Sequence, residues 1–209
     1  MRYLWIVFIV LVALTACGGT TYYRQPEANE DSLRVWFDQA SAAYQQNDAP
    51  RAVDLFQRVG DADAAFPGVC YNLGLAWSLA GDDAQAEAAF RQHIERQPGD
   101  DAPWRALGLM AMQRREPEEA LGLFKKALAL APDQPRNLLG AGRASYLTGD
   151  MISAIGYLEH GRAADPADAD IACSLGLLYM ESGREIEGRE LLQEAAKLGS
   201  AEALDFLAQ

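Results

Sequence analysis

The chain repeats one arrangement of small and apolar residues at a fixed spacing of 34 positions. In each copy a small residue is followed 12 positions later by a second small residue, and 4 positions further on by an aromatic residue or Leu. The five sets are Ala40, Ala52 and Phe56; Gly74, Ala86 and Phe90; Gly108, Ala120 and Phe124; Gly142, Ala154 and Leu158; and Gly176, Gly188 and Leu192. A period of this length is typical of stacked supersecondary units that bury their apolar faces against one another. Because strand-like alternation of apolar and polar residues is absent from the repeats, the pattern predicts an all-α fold.

The register of the repeat divides most of the chain into five units. Their first positions are Leu33, Pro67, Asp101, Pro135 and Ala169, so the units cover residues 33–66, 67–100, 101–134, 135–168 and 169–202. In residues 203–209, Leu204, Phe206 and Leu207 are spaced to cover the last apolar face, and Ser200 is placed to cap a short helix. We therefore predict that residues 203–209 are a C-terminal capping segment.

The residue types that recur predict two helices in each unit. Small residues at positions 8 and 20 allow these helices to approach closely, and the large residue at position 24 fills the gap that they leave. Gly at position 15 suits the left-handed conformation that ends a first helix. Pro at position 32 ends a second helix because it cannot continue one. Since Arg115 stands at position 15 of the third unit, we expect that turn to differ slightly from the others.

With this register, the units resemble tetratricopeptide repeats. The third unit carries the most complete match, with Trp104, Leu107, Gly108, Ala120, Phe124, Ala127 and Pro132. The first unit is the weakest match, with Asn47 at its turn and Ala64 at the place of the Pro. The resemblance implies a right-handed α-solenoid of helix-turn-helix repeats whose function is protein binding.

A secretion signal precedes the repeats. Arg2 supplies a short positive region, and residues 4–14 are an apolar run that is too short to cross a bilayer as a permanent helix. The following Leu14-Thr15-Ala16-Cys17 resembles the lipobox of bacterial lipoproteins. An ordinary signal peptide that happens to end in Cys is the alternative.

The lipobox resemblance implies that residues 1–16 are a signal peptide and that acyl chains are attached to Cys17. Two or more acyl chains hold a protein stably on a membrane. Since Gly18, not Asp, follows the Cys, the resemblance implies outer-membrane delivery, facing the periplasm, if the source is a diderm bacterium. We interpret residues 17–32 as the lipidated Cys and a flexible tether, because residues 18–32 show no helical periodicity.

Charge and site chemistry narrow the possible functions. The formal net charge of −12, with three Lys, argues against binding of the phosphate backbone of nucleic acid. His93 and His160 have no potential metal ligands at a typical spacing. Cys70 and Cys173 lie about three repeats apart, too far for a disulfide, and we interpret them as buried small apolar residues. We therefore expect no enzymatic activity, no cofactor, no metal and no small-molecule substrate.

The remaining candidate site is the face formed by the first helices, which lines the inner surface of tetratricopeptide arrays. The resemblance places aromatic, apolar and Arg residues there, a composition typical of protein interfaces. Twelve residues form the predicted groove: Phe37, Tyr44, Tyr71, Leu75, Arg105, Leu109, Met112, Leu139, Arg143, Tyr146, Leu177 and Met180. An apolar segment of a partner is the expected ligand, with a carboxylate meeting Arg105 or Arg143. Packing between neighbouring repeats is the alternative role of these residues.

Two functions are consistent with these features. The lipobox, the tether and the apolar groove together resemble the tetratricopeptide lipoproteins that serve as pilotins and assembly factors of type IV and Flp-type pili, which implies, as the first function, an adaptor for a pilus or secretin complex. The second is a regulator that docks peptidoglycan hydrolases or other periplasmic enzymes. Both predict a membrane-anchored scaffold that binds envelope proteins.

Overall fold

The computed structural model describes residues 29–208, which form eleven α-helices and contain no strand. The predicted signal peptide, Cys17 and residues 18–28 of the predicted tether lie outside this range. The helices are α1 (Glu30–Gln45), α2 (Ala49–Ala62), α3 (Val69–Ala80), α4 (Asp83–Arg96), α5 (Ala102–Gln113), α6 (Pro117–Leu130), α7 (Pro135–Leu147), α8 (Met151–Ala164), α9 (Ala169–Glu181), α10 (Glu185–Lys197) and α11 (Ala201–Leu207). None of these helices is both long and apolar enough to cross a membrane.

The helices stack in pairs along the chain. The second helices α2, α4, α6, α8 and α10 begin exactly one 34-residue period apart. Each helix packs mainly on its neighbours in sequence, and the first helices α5, α7 and α9 also contact one another in succession. This arrangement is an α-solenoid, which confirms the predicted all-α fold.

The core contains the large residue at position 24 of each unit. Phe56, Phe90, Phe124, Leu158 and Leu192 are all buried. The small residue at position 8 explains their close packing. A Cβ atom added at Gly74 would lie 2.6 Å from the ring of Phe90, so a larger side chain there would overlap the ring.

The turn at Arg115 has the same backbone as the turns that contain Gly. Gly81 has φ 79° and Arg115 has φ 63°. The N–H of Asp82 donates to the carbonyl of Trp77 at 3.0 Å, and the N–H of Glu116 donates to the carbonyl of Ala111 at 3.0 Å. The expected difference at this turn is therefore wrong. The hydrogen bond that closes the turn holds Arg115 in a conformation that is sterically unfavourable for a residue with a Cβ atom.

The first helix begins earlier than the predicted boundary at Leu33. It starts at Glu30, and the side chain of Asn29 caps it by accepting a hydrogen bond from the N–H of Ser32 at 2.8 Å. Glu30 and Asp31 lie in the first turn, where acidic side chains interact favourably with the helix dipole. Assignment of residues 30–32 to the tether is therefore wrong.

At the other end, Ser200 caps α11 as predicted, accepting a hydrogen bond from the N–H of Ala203 at 3.3 Å. The helix begins at Ala201, two residues before the predicted capping segment. Its contacts also differ from the expectation. Ala203 and Leu207 pack against Leu192 and its neighbours, whereas Leu204 and Phe206 are exposed. A helix of two turns presents one narrow stripe to its neighbour, so three apolar residues spaced over four positions cannot all be buried.

Candidate functional site

All twelve residues of the predicted groove lie on first helices, and none is fully buried. They differ in what they contact. Leu109 and Tyr146 are exposed over 52% and 38% of their surface. The other aromatic and apolar members are half-buried and pack against core clusters. The predicted residues therefore all belong to the first helices, as expected, but they differ in how much of their surface a partner could contact.

The N-terminal part of this face packs mainly within the protein. The ring of Phe37 lies 5.3 Å from that of Phe56 and 5.2 Å from that of Phe66. Tyr44 packs on the same core cluster as Phe56. The ring of Tyr71 lies 5.7 Å from that of Phe90. The ring contacts of Phe37 and Tyr71 join residues of a single repeat. These aromatic residues therefore pack within their own units, and these ring contacts are not the packing between neighbouring repeats that was the alternative role.

Arg105 is held by a polar network between α5 and α7. Its Nη1 donates to Asp101 Oδ2 at 2.7 Å and to Asn137 Oδ1 at 3.2 Å. The Nδ2 of Asn137, which is buried, donates to the same Asp101 oxygen at 2.9 Å. Burial raises the pKa of the nearby Tyr71 hydroxyl, and the charge of Arg105 opposes that shift. Because Arg105 already has a carboxylate partner, Arg143 is the better candidate to bind a carboxylate of a ligand.

A cavity of about 450 Å³ brings together some residues of the predicted groove, but Leu139 and Met180 are not among those that line it. Met112, Arg143, Tyr146 and Leu177 are the predicted groove residues that line it. The other lining residues are Gly142, Leu147, Leu158, Ser174, Leu178, Glu181 and Glu202. We call this site the α7–α9 cavity, after the two helices that supply most of its walls. Its size is within the range of small-ligand and side-chain pockets.

Polar side chains surround the apolar part of this cavity. Nε and Nη2 of Arg143 both donate to Ser174 Oγ, at 3.2 and 3.1 Å. The neighbouring Glu181 carboxylate raises the pKa of the Tyr146 hydroxyl. Burial raises the pKa of the Cys173 thiol, on which Ser200, Glu202 and Arg143 also act. The arrangement offers an apolar pocket with charged groups of both signs around it.

The sequence analysis did not include Ser174 or Glu202 in the groove. Ser174 lies three positions before Leu177 on α9, so it shares a helix face with a predicted groove residue. That spacing was a usable signal. Glu202 lies on α11, outside the five first helices from which the groove was read, and its approach depends on how α11 packs. The 34-residue register contains no information about that packing.

The histidines and cysteines have structural surroundings. The ring of His93 is buried, and its Nε2 lies 2.8 Å from Asp100 Oδ2. His160 is exposed and pairs with Asp133 at the same distance. Cys70 and Cys173 are buried and not joined by a disulfide, in agreement with their interpretation as small buried residues. Within residues 29–208 no group of three or more His, Cys, Asp or Glu side chains is suited to holding a metal ion.

Stacked helical hairpins with an apolar cavity on the first-helix face define an α-solenoid scaffold. Models of the tetratricopeptide repeat match residues 37–103, 80–135 and 111–172. Together these matches cover well over half of the chain. The chain therefore belongs to the tetratricopeptide repeat family, whose members are typically non-catalytic scaffolds that bind other proteins.

Individual relatives agree with this assignment. Cellulose synthase operon protein C of Pseudomonas fluorescens is 28% identical over 183 residues, which are 80% of this chain but 14% of that protein. Pseudomonas aeruginosa PilF has a similar fold, with a TM-score of 0.74 and 14% identity over 82% of this chain and 78% of PilF. YrrB, a tetratricopeptide repeat protein with an unusual peptide-binding site, has a TM-score of 0.63 and 17% identity over 87% of this chain and 94% of YrrB. At these identities the solved structures are evidence for the fold alone.

Proposed function

We propose that the protein is a scaffold that holds an apolar segment of a partner protein on its first-helix face, centred on the α7–α9 cavity. The observation that carries the proposal is the cavity itself, which gathers Met112, Tyr146 and Leu177 from three successive first helices. Exposed Leu109 lies on α5, one helical turn before Met112, and extends the apolar surface. Apolar anchors in a pocket with a polar rim are the usual basis of peptide recognition. The family assignment and the likeness of fold to a peptide-binding protein, YrrB, support this function.

We further propose that the scaffold is lipid-anchored in the cell envelope and serves as an adaptor for a pilus or secretin complex. The signal segment and the Leu14-Thr15-Ala16-Cys17 motif support the anchor. The likeness of fold to PilF is in keeping with the adaptor role. The anchor is tested by fractionation: the natural chain is expected in the outer-membrane fraction, and Cys17→Ser is expected to lose acylation by mass spectrometry and leave that fraction. An unacylated natural chain would contradict the proposal.

The groove is tested by crosslinking and capture from envelope extract. We compare the natural chain with the double variant Leu109→Glu, Tyr146→Glu, which places carboxylates on the proposed surface. Ile152→Glu, Ile186→Glu is a matched control, because these isoleucines are 87% and 78% exposed and lie on second helices. We expect the groove variant to lose the captured partner and the control to retain it. Equal capture by the natural chain and the groove variant would contradict the proposed site.

The pathway is tested by deletion of the gene. The adaptor proposal predicts less assembled secretin in the outer membrane with normal cell-wall turnover. The reverse result, normal secretin and altered turnover, would favour docking of peptidoglycan hydrolases. Complementation by the groove variant should fail in the same assay, because loss of partner binding is expected to reproduce the deletion.

A further inference from the structure

The charges around the α7–α9 cavity are not paired with one another. Arg143, Glu181 and Glu202 all line it, yet none of them takes part in the ion pairs found within residues 29–208. Two nitrogens of Arg143 donate to the neutral hydroxyl of Ser174. Glu181 lies near the Tyr146 hydroxyl and Glu202 near the Cys173 thiol, which are also neutral groups. The cavity therefore has one cationic and two anionic groups available to a ligand.

Arg143 is oriented so that it retains capacity for a carboxylate. A guanidinium has five N–H donors, and two of those of Arg143 point at Ser174 Oγ. Three remain, on Nη1 and Nη2, and these are the nitrogens that form a bidentate pair with a carboxylate. Ser174 thus fixes the direction of the guanidinium without neutralising its charge.

The two carboxylates favour a cationic group on the same ligand. Glu181 lies near the Tyr146 hydroxyl, and a carboxylate that accepts one hydrogen bond has further lone pairs that can accept others. The formal net charge of −12 acts in the same direction, because a strongly acidic protein attracts basic partners at long range. A ligand with one acidic and two basic groups would be complementary in charge to the cavity. Its net positive charge would also be opposite to the net charge of the protein.

The position of Arg143 distinguishes a side-chain carboxylate from a chain terminus. The residue lines the cavity and is exposed, so it lies on the solvent side of the site, which we call the mouth. A segment that crosses the mouth presents side chains to it, whereas a terminal carboxylate would have to end there. The geometry therefore favours an internal segment of the partner.

From these observations we infer that the α7–α9 cavity binds an internal peptide segment that carries an apolar anchor together with an acidic side chain and basic side chains. The acidic side chain pairs with Arg143, the apolar anchor enters beside Tyr146 and Leu177, and the basic side chains face Glu181 and Glu202. This inference rests on the proposed function and adds the mixed charge of the partner segment.

The inference is tested with random 16-residue inserts displayed on phage between two folded domains, so that neither end of the insert is free. The full chain, purified in detergent, is the target, and the Leu109→Glu, Tyr146→Glu variant is the counter-target. We expect the enriched inserts to contain an apolar residue with acidic and basic neighbours. If no insert prefers the natural chain over the counter-target, the proposed function fails as well. If inserts prefer it but share no mixed-charge pattern, the charge inference alone fails.

A charge exchange then tests Arg143 on the best insert, made as a peptide with acetylated and amidated ends. Arg143→Glu should weaken binding roughly tenfold or more, the usual loss for a charge-assisted pair. Replacing the acidic residue of the peptide by Lys should restore most of the affinity for that variant and weaken binding to the natural chain. Since only a folded site can be restored, rescue excludes a loss of structure. Glu181→Gln, Glu202→Gln should weaken the same peptide and reduce the salt dependence of binding. Absence of rescue, or binding that requires a free carboxyl terminus, would overturn the inference.

Discussion

The ring of Phe124 occupies the space that a side chain at position 140 would need. A Cβ atom added at Gly140 would lie 2.3 Å from Cε1 of Phe124, which is closer than real Cβ contacts. Gly140 belongs to α7 and Phe124 to α6, so this contact joins the third repeat to the fourth. A glycine at this place sets the distance between the two repeats.

Gly140→Ala is therefore expected to destabilise the protein. Overpacking of a buried site costs about 1–3 kcal/mol, and the loss should be seen as a lower urea midpoint in circular dichroism. Gly122→Ala is the matched control, because Gly122 lies within α6 with nothing within 4 Å of an added Cβ. There the helix propensity of Ala should raise stability by about 0.5–1 kcal/mol. A Gly140→Ala protein as stable as the natural chain would show that the repeats can move apart freely.

Replacing Arg115 by glycine should remove backbone strain from its turn. Arg115 has φ 63°, and Arg115→Gly is expected to raise stability by about 1 kcal/mol because it removes the Cβ from a left-handed conformation. The equivalent residue of the next repeat provides the reverse change. Gly149 has φ 84° and open space around it, so Gly149→Ala should lower stability by a similar amount through the backbone alone. Urea denaturation of the two single variants measures both effects, and changes of the same sign would contradict this explanation.

The residues that precede α4 and α6 occupy the same repeat position but should contribute differently to stability. The side chain of Asp82 caps α4 by accepting a hydrogen bond from the N–H of Gln85 at 3.1 Å, whereas Glu116, at the same position of the next unit, makes no such bond. Asp82→Ala is therefore expected to cost about 1 kcal/mol. Glu116→Ala should cost less than about 0.5 kcal/mol, because it removes a partly exposed ion pair with Arg114. Thermal unfolding of both variants checks the order, and a larger loss for Glu116→Ala would refute it.

The buried thiols should react slowly and only at high pH. Burial raises the pKa of Cys70 and Cys173 above the ordinary value of 9.0. Fewer thiolates are then present at pH 8 than in an unfolded chain, and the thiolate is the reactive form. In a Cys17→Ser protein, which leaves these two cysteines, alkylation at pH 8 should be much slower than in urea. Fast alkylation of the folded protein would contradict the burial.

The same shift predicts how stability changes with pH. The folded state keeps its thiol protons to a higher pH than the unfolded state does. The stabilisation is therefore complete below pH 9 and is lost as the pH rises through the folded pKa values. Urea midpoints measured from pH 8 upward should fall, and Cys173→Ala should show a smaller fall. An identical pH dependence in that variant would exclude Cys173 as a source.

The periodic part of the sequence was sufficient to predict the fold. Position 8, position 20 and the large residue at position 24 specify how two helices meet, and that geometry repeats wherever the residues do. Departures in single residues were less informative. Arg115 predicted an altered turn, but the hydrogen bonds of the surrounding helices hold the backbone in the common conformation. Asn29 was a usable capping signal for α1, yet it lies before the first periodic position, where the repeat offers no guidance.

The candidate site was predicted less completely, because a position on a helix face does not determine its partners. Asp101 and Arg105 lie four residues apart on one helix, so their ion pair was detectable from the sequence. Closure of the network by Asn137, 32 residues after Arg105, depends on how α5 and α7 pack. The same is true of the cavity, which Glu202 of α11 lines together with Arg143 and Tyr146 of α7. Contacts between helices that occupy different positions in the repeat can be identified only from the packed structure.

Helix α11 has a consequence for how occupancy of the cavity can be detected. This seven-residue helix packs through Ala203 and Leu207, and short elements with few buried contacts open locally at low cost in free energy. It also carries Glu202, which lines the cavity. A ligand that engages Glu202 binds the closed helix better than the open one, so by linkage it must suppress the opening. Slower hydrogen exchange of the α11 amides would therefore report that a ligand is bound in the cavity between α7 and α9.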